Sequence, residues 1–312
     1  MGENMMYAVI DIGSNTIRLV IYSMENSSPC PMLNKKYSAG LAGYVNENNE
    51  IGEEGVAVLF EVLADIEKIL KYIRPNEVYP FGTAALRNSA NGEKIVQMVK
   101  EKCGFTIQIL SGKEEAVFDY CGALEGGLGD SGLLVDVGGG STELTFFVDQ
   151  EIKKATSIPL GSLNLYKKWV GDLLPSHDEA RCIKKEIKGF LKEIDLDAEA
   201  LIAQPIYSVG GTARAALKLM RERHRIGNTN TYTYEQLKEV LQYQEESKRE
   251  LLKSILRTSP DRVHTIIPGL LVFQTIAKFF GSKSFVTIGY GVREGYLMHK
   301  LEQEGNPHEQ PV

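Results

Sequence analysis

Two stretches of this sequence, DIGSNTIRL at residues 11–19 and DVGGGSTEL at residues 136–144, align without a gap and share the pattern D-x-G-x-x-[ST]-x-x-L. Apolar, strand-like segments flank both stretches, so each predicts a tight glycine-containing turn between two strands. A pattern that recurs with the same neighbours indicates an internal repeat. The sequence therefore predicts an α/β fold with two copies of one unit, facing each other across a central cleft.

The predicted order of elements supports this repeat. The first copy is β-β-β-α-β-α-β-α, with strands at residues 7–10, 17–22, 36–41, 78–81 and 106–110 and helices at 53–72, 92–102 and 113–124. The second copy has strands at 133–137, 143–148, 152–158, 206–209 and 284–288 and helices at 163–170, 178–194, 212–222, 234–243, 248–256, 261–280 and 292–301. Glycine-rich residues 122–132 predict a boundary between domains 1–124 and 125–312, with the last helix free to pack back on the first domain.

Length and composition restrict the function classes. The 312 residues correspond to two domains at roughly 150 residues each. A net charge of −6 disfavours general nucleic-acid binding, and no apolar run approaches the ~20 residues of a membrane helix. The start has no basic targeting segment, and the four cysteines lie far apart, without the spacing of a zinc site or a disulfide framework. These features predict a cytoplasmic protein without membrane or nucleic-acid partners.

The two turns carry the residues expected to bind phosphate. Glycines let backbone N–H groups approach an anion, and successive amides in a tight turn form an anion-binding nest. A carboxylate at the end of a strand can hold Mg²⁺ or a water, and Mg²⁺ prefers oxygen ligands shared with phosphate. Two such hairpins closing on one phosphoryl group predict phosphoryl transfer. The candidate phosphate-binding residues are Asp11, Gly13, Ser14, Asn15, Gly138, Gly139, Gly140 and Ser141.

Six segments together carry a resemblance to a known family. They are YAVIDIGSNTIRLVIY, FGTAALRNSANG, ILSGKEEA, LLVDVGGGSTEL, YSVGGTARAA and GYGVREGYL, in that order. Over residues 7–301 the chain resembles the exopolyphosphatase / guanosine pentaphosphate phosphohydrolase family, in its short two-domain form. The resemblance implies two duplicated actin-like ATPase (ribonuclease H-like) domains. It also implies hydrolysis of a terminal phosphoanhydride with Mg²⁺, or with Mn²⁺ as the alternative metal.

The resemblance also implies roles for individual residues. Glu115 in SGKEEA is the better candidate than Glu114 for the base that activates water. Asp136 and Glu143 are implied metal and water ligands. Arg87 is a candidate cation for phosphate oxygens, because the planar guanidinium suits bidentate contacts. The candidate secondary anion contacts are Arg18, Arg214 and Arg293.

The sequence leaves several alternatives open. Inorganic polyphosphate is the leading substrate, because the terminal-phosphate residues are present and no guanine pocket can be identified. Guanosine pentaphosphate is the alternative, and a small-molecule kinase of the same superfold or a nucleotide-binding regulator are further ones. A homodimer is compatible with the sequence. The dipeptide His177-Asp178 resembles that of HD phosphohydrolases, but helix capping by Ser176 or Asp178 is the better explanation.

Overall fold

The computed structural model describes residues 5–194, 204–243 and 245–305 of the chain. These residues divide into two units, each built around its own sheet. The first unit contains the residues up to Glu125 together with those from Val292 onward, and the second contains Gly126–Gly291.

The strands and helices alternate along the chain. The strands are β1 (Met6–Ile12), β2 (Ile17–Glu25), β3 (Ser28–Tyr37), β4 (Glu77–Gly82), β5 (Gln108–Ile109), β6 (Gly132–Val137), β7 (Thr142–Val148), β8 (Glu151–Ile158), β9 (Ile206–Val209), β10 (Thr231–Thr233) and β11 (Ser284–Thr287). The helices are α1 (Glu53–Ile73), α2 (Ala84–Arg87), α3 (Gly92–Cys103), α4 (Gly112–Glu125), α5 (Ser162–Trp169), α6 (His177–Glu193), α7 (Gly210–His224), α8 (Tyr234–Leu241), α9 (Glu245–Thr258), α10 (Ile266–Phe280) and α11 (Val292–Gly305).

The two sheets repeat one topology, which confirms the predicted duplication. The first has the order β3-β2-β1-β4-β5, and the second has the order β10-β11-β9-β6-β7-β8. In each, three antiparallel strands come first (β1-β2-β3 and β6-β7-β8), and later strands then pair in parallel beside the first one. The glycine turns predicted from the sequence connect β1 to β2 and β6 to β7.

In the first unit the sheet is covered on both faces, and its central strand shows why the sequence there is almost continuously apolar. Ala8 and Ile10 belong to one apolar cluster, which includes residues of α1 and α3. Val9 belongs to the cluster on the other face, which includes Phe118 of α4 and Tyr296 of α11. A strand buried on both faces has no polar face to alternate with.

The second unit has one large apolar cluster, and α10 lies at its centre. This helix is apolar around almost its whole circumference, and its residues from Ile266 to Ala277 are all buried. It packs against α5, α6, α7 and α8. A helix with no polar face is a core element of a domain.

Two predicted elements were wrong in their bounds, for physical reasons. The third strand was expected at residues 36–41, but β3 is Ser28–Tyr37, and a 3-10 turn occupies Leu41–Tyr44. Its prolines at 29 and 31 hid it from the pattern, although an edge strand tolerates proline. The helix expected at residues 261–280 begins at Ile266, since Pro268 fits only the first turn, where its missing N–H needs no partner. The short elements α2 and β10 were missed.

The start of α6 confirms the capping explanation for the His177-Asp178 dipeptide. Ser176 is the N-cap: its Oγ accepts the N–H of Glu179, and the Glu179 carboxylate accepts the N–H of Ser176 at 2.7 Å. Among the described helices, none is long and apolar enough to cross a membrane.

The crossing of α4 and α11 gives a test of the packing in the first unit. A Cβ added at Gly295 would lie 1.9 Å from the carbonyl oxygen of Phe118, so Gly295→Ala must push the two helices apart. We expect it to lower the free energy of unfolding by about 1–3 kcal/mol, measured by urea denaturation followed by circular dichroism.

Gly189→Ala is the matched control, because a Cβ at that α6 position meets no atom within 4 Å. The same substitution there is expected to leave the protein unchanged or to stabilise it by about 0.5–1 kcal/mol. Equal stability of the two variants would contradict the tight crossing.

Candidate active site

The two glycine loops form the same hydrogen-bonded turn. In the first unit the N–H of Gly13 donates to the carbonyl of Thr16 at 3.0 Å, and in the second the N–H of Gly138 donates to the carbonyl of Ser141 at 3.0 Å. These residues occupy equivalent positions of the repeat. The duplication therefore extends from the sheet topology to a single backbone hydrogen bond.

In the second loop the carbonyl groups are bound by the start of α5. Ser162 N–H donates to Gly138 O at 2.9 Å, Leu163 N–H donates to Gly139 O at 2.9 Å, and the Asn164 side-chain amide donates to Gly140 O at 3.0 Å. The amides of Gly139 and Gly140 donate to no protein acceptor among the described residues. With its carbonyls occupied, the loop offers backbone donors that an anion can accept.

The first loop has the same division of donors and acceptors. The carbonyl of Ser14 accepts the N–H of Ala42 at 3.0 Å, and that of Asn15 accepts the N–H of Gly40 at 2.9 Å. Within the described part of the chain, the amides of Ser14 and Asn15 have no protein acceptor. Both loops thus fit the anion-binding role predicted for them.

The residues that support the second loop were missed in the sequence. A Cβ at Gly161 would lie 2.3 Å from the carbonyl carbon of Gly139, so only glycine allows α5 to approach this closely. Asn164 accepts the N–H of Gly161 at 2.7 Å while it donates to the loop. The available signal was the Gly161-Ser162 pair before an amphipathic helix, which marks a helix start but not a site.

The strands on either side of the two loops differ in their charged residues. Asp11 lies directly across from Arg18 on β1 and β2, whereas Asp136 lies directly across from Glu143 on β6 and β7. Residues directly opposite in an antiparallel pair project to the same face, where opposite charges attract and like charges repel. The first pair therefore combines opposite charges, whereas the second places two carboxylates on one face of the sheet.

The second pair offers two of the oxygen ligands that a hard divalent metal ion prefers. Both groups are carboxylates, which such ions prefer as ligands. Glu143 is only 2% exposed, and the hydroxyl of Ser157 donates to its Oε1 at 2.8 Å, which orients the side chain. A ligating carboxylate held by a second hydrogen bond is typical of metal sites.

Asp136 is enclosed by the start of α7 and by an arginine that the sequence did not reveal. A Cβ at Gly210 would lie 2.0 Å from Oδ1 of Asp136, and φ at Gly210 is +78°. Both the lack of space and the left-handed backbone therefore require glycine. Burial lowers the pKa of Arg262, while the nearby carboxylates of Asp261 and Asp136 raise it. Arg262 donates to the hydroxyl of Thr212 at 3.4 Å. No pattern around residue 262 singles it out from the other basic residues.

Asp11 is held in a buried network within the first unit. Arg293 donates to its Oδ2 at 3.2 Å, and the hydroxyl of Tyr22 donates to Glu294 at 2.5 Å. Burial raises the pKa of Asp11, and Arg293 and Arg18 act against that rise. Arg293, predicted as a secondary anion contact, is thus an internal counter-charge of Asp11.

Glu115 and Arg87, predicted separately, form an ion pair. The guanidinium of Arg87 donates to the Glu115 carboxylate at 2.7 Å and to the carbonyl of Leu110 at 2.9 Å. Glu114 is exposed and caps α4, because its carboxylate accepts the N–H of Ser111 at 2.7 Å. Glu115 is 9% exposed. This division of roles supports the choice of Glu115 over its neighbour.

The first loop adjoins the segment that carries Arg87. The N–H of Thr83, which precedes α2, donates to Ile12 O at 3.1 Å. A Cβ at Gly13 would be 3.9 Å from both the Asp11 carboxylate and the Thr83 hydroxyl. Arg18, directly across from Asp11, donates to Asn34 at 2.6 Å, and Arg214 donates to Gly289 O at 3.4 Å.

Comparison with known proteins gives a consistent set of relatives. The sequence profile of the Ppx/GppA phosphatase family matches residues 20–304. Exopolyphosphatase 1 of Mycobacterium tuberculosis is 24% identical over 309 residues, covering 97% of this chain and 90% of the relative. The guanosine-5'-triphosphate,3'-diphosphate pyrophosphatase of Vibrio vulnificus is 26% identical over 314 residues, covering 97% of this chain and 61% of the relative.

Solved structures share the fold. The crystal structure of an exopolyphosphatase from Cytophaga hutchinsonii matches with a TM-score of 0.83 at 19% identity, over 95% of this chain and 98% of the other. That of the Aquifex aeolicus Ppx/GppA family member matches with a TM-score of 0.78 at 21% identity, over 97% and 99%. At this level of identity the likeness establishes the fold alone.

The buried pair of Arg293 and Asp11 gives a test by double substitution. Arg293→Met leaves the Asp11 carboxylate buried without its counter-charge, so we expect a loss of about 3–5 kcal/mol in the free energy of unfolding. Asp11→Asn combined with Arg293→Met removes both charges and should recover part of the loss. The measurement is urea denaturation of the three proteins at two pH values.

The loss in Arg293→Met should shrink as the pH falls. Without the arginine the pKa of Asp11 rises further in the folded state, so its ionisation penalty is full above that raised pKa, shrinks as the pH falls through it, and is gone below the pKa of the unfolded state. The double variant should show no such dependence from this position. A deficit that grows on acidification would contradict the assignment.

Proposed function

The chain belongs to the Ppx/GppA phosphatase family, and from this we propose that it is an exopolyphosphatase, which hydrolyses the terminal phosphoanhydride of inorganic polyphosphate and releases orthophosphate. The observation that carries the proposal is the duplicated glycine turn. Each copy has its carbonyls bound within the protein and amides that the described residues leave without an acceptor. The amides of each copy suit a phosphoryl group, because its charge is spread over several oxygens.

Glu115 is the base in this proposal. It accepts a proton from the water whose oxygen attacks the terminal phosphorus. The new bond joins that oxygen to phosphorus, and the phosphoanhydride bond breaks with its electron pair left on the shortened chain. The ion pair with Arg87 orients the carboxylate before the attack. Glu115 then returns the proton to solvent.

Arg87 has a second proposed role beside the base. Arginine is suited to bind phosphate oxygens, so we assign Arg87 as the cation that draws the terminal phosphate toward Glu115. Arg18 and Arg214 remain predictions as contacts for a longer anion.

The metal in the proposal is Mg²⁺, with Mn²⁺ as the alternative. Asp136 and Glu143 would hold it, since they are a like-charged cross-strand pair of hard oxygen ligands. A bound divalent ion would neutralise part of the phosphate charge that the transition state develops. Arg262 and Gly210 then serve to keep the Asp136 carboxylate in position.

We prefer polyphosphate to guanosine pentaphosphate as the substrate, because this chain covers more of the exopolyphosphatase than of the guanosine pyrophosphatase. The chain spans 90% of the mycobacterial exopolyphosphatase but only 61% of the Vibrio guanosine pyrophosphatase. The nucleotide remains the second candidate, because both relatives match 97% of this chain. A kinase is disfavoured, because Glu115 supplies a base that activates water as the phosphoryl acceptor. Cytoplasmic location and a homodimer stay predictions.

Glu115→Gln tests the base. We expect phosphate release from polyphosphate with Mg²⁺ to fall by about 10²–10⁴-fold, since the amide cannot accept the proton of water. Glu114→Gln is the matched control: it lies next to Glu115, is exposed, and glutamine still completes the helix cap. Full activity of Glu115→Gln, or equal loss in both variants, would refute the assignment.

The same assay decides the substrate. Wild-type protein is compared on long-chain polyphosphate, short-chain polyphosphate and guanosine pentaphosphate, with the Glu115→Gln variant beside each. Faster turnover of polyphosphate supports an exopolyphosphatase. Faster turnover of the nucleotide would replace that proposal with the second candidate and leave the catalytic residues unchanged.

Glu143→Gln tests the metal site. Loss of one carboxylate should raise the Mg²⁺ concentration for half-maximal activity by about 10–100-fold. It should also weaken Mn²⁺ binding measured directly by electron paramagnetic resonance. Glu151→Gln, an exposed position of β8 paired with Lys153, is the control and should change neither. Unchanged Mn²⁺ affinity in Glu143→Gln would remove the residue from the metal site.

A further inference from the structure

A cavity of about 210 Å³ in the second unit is lined by an unusual number of lysines. Helix α6 contributes Lys184 and Lys188, α8 contributes Lys238, and α10 contributes Lys278. The remaining lining residues are Tyr234, Leu241, Gln242, Gln274 and Thr275. No residue of the proposed active site is among them.

The cavity lies at the opposite end of the sheet from the glycine loop. That loop follows the carboxyl end of β6, and β9 and β11 run parallel to β6. Tyr234 directly follows β10, whose last residue, Thr233, pairs with Ser284, the first residue of β11. Lys278 lies in the last turn of α10, just before β11. These residues therefore surround the amino ends of the parallel strands.

The lysines have little counter-charge in the protein. Lys238 pairs with Glu235 at 2.9 Å. Lys184, Lys188 and Lys278 make no ion pair with any acidic residue that the structure describes. Burial lowers the pKa of Lys184, and the charges of Lys278 and Lys188 lower it further. A bound anion would remove this repulsion, since an opposite charge within a few ångströms favours the ammonium form.

Gln274 is an independent indication of a ligand. It is 7% exposed, lines the cavity, and lies in the middle of the mostly apolar α10. Its side-chain amide makes no hydrogen bond to a residue in the described ranges. Its nitrogen and oxygen are not among the fully buried polar atoms that lack a partner, so the amide is open to the cavity and can bind a partner from outside the chain.

We propose that this lysine cavity is a second phosphate-binding site, separate from the glycine loops, which holds a short run of phosphoryl groups. Ammonium groups and a side-chain amide are all hydrogen-bond donors, as phosphate oxygens require. The volume is below the roughly 300–1,000 Å³ of pockets that enclose drug-sized ligands, so a nucleoside would remain outside. The choice of phosphate among anions rests on the proposed function, in which a polyphosphate is the substrate.

Binding without turnover tests this site. Tripolyphosphate is titrated by calorimetry in EDTA into wild-type protein, Lys184→Gln/Lys278→Gln and the control Lys185→Gln/Lys192→Gln, whose lysines are exposed on α6 and do not line the cavity. We expect the cavity variant to lose one bound equivalent, or at least tenfold in its affinity, and the control to match wild type. Equal binding by all three proteins would overturn the proposal.

Gln274→Leu separates ligand binding from folding. Leucine has a similar volume and removes the unpaired amide, so the ligand-free protein should keep or gain thermal stability while its tripolyphosphate affinity falls several-fold. A loss of stability with unchanged affinity would show that the glutamine has only a structural role, and would count against the site.

The source of the phosphates is decided by two further ligands. If the wild-type protein binds tripolyphosphate but not GTP, the ligand is an inorganic phosphate chain. If it binds both, and the cavity variant loses affinity for both equally, the cavity recognises the phosphates alone. Sulfate binding as tightly as tripolyphosphate would overturn selectivity for phosphate. Two controls separate failure of this site from failure of the proposed function. The cavity variant should still hydrolyse saturating polyphosphate, and the Glu115→Gln variant should still bind tripolyphosphate at the cavity.

Discussion

One backbone hydrogen bond closes the turn between the first two strands of each unit, and the candidate site depends on it. Gly13 donates to Thr16, and Gly138 donates to Ser141, at the same distance. Closing the turn this way leaves the following amides without a protein acceptor among the described residues, while neighbouring segments bind the carbonyls. The donors of Asn15, Gly139 and Gly140 can meet water or a ligand because these residues are partly exposed, whereas Ser14 is only 5% exposed.

The two copies of the hairpin have diverged in charge rather than in geometry. The position opposite the strand-end aspartate is Arg18 in the first unit and Glu143 in the second. The first aspartate is further neutralised by Arg293 of α11, which lies 282 positions away in the sequence. The second keeps two carboxylates on one face of the sheet. Each copy of the duplicated fold thus has a loop with amides left unbound by the described residues, and only the second has two carboxylates opposite each other.

Support for the site comes from residues whose only role is close approach. Gly161 and Gly210 allow α5 and α7 to reach the second loop and Asp136 at distances that any side chain would prevent. Arg262 reaches the same region from the segment before α10. In the middle of that helix, Gln274 lines a cavity together with a group of lysines. The same core helix therefore connects, in one rigid element, the surroundings of the loop and the lysine cavity.

The sequence by itself determined the duplication, the glycine turns and most strands and helices, because these depend on short-range patterns: apolar periodicity, glycine in tight turns and capping residues. It also identified Asp136, Glu143, Glu115 and Arg87 as candidates, through motifs and a resemblance. Only the tertiary structure decided that Glu115 pairs with Arg87, that Arg293 serves Asp11, and that Arg262 adjoins Asp136. Partners distant in the chain leave no local pattern, since their contact energy depends on packing that the whole fold creates.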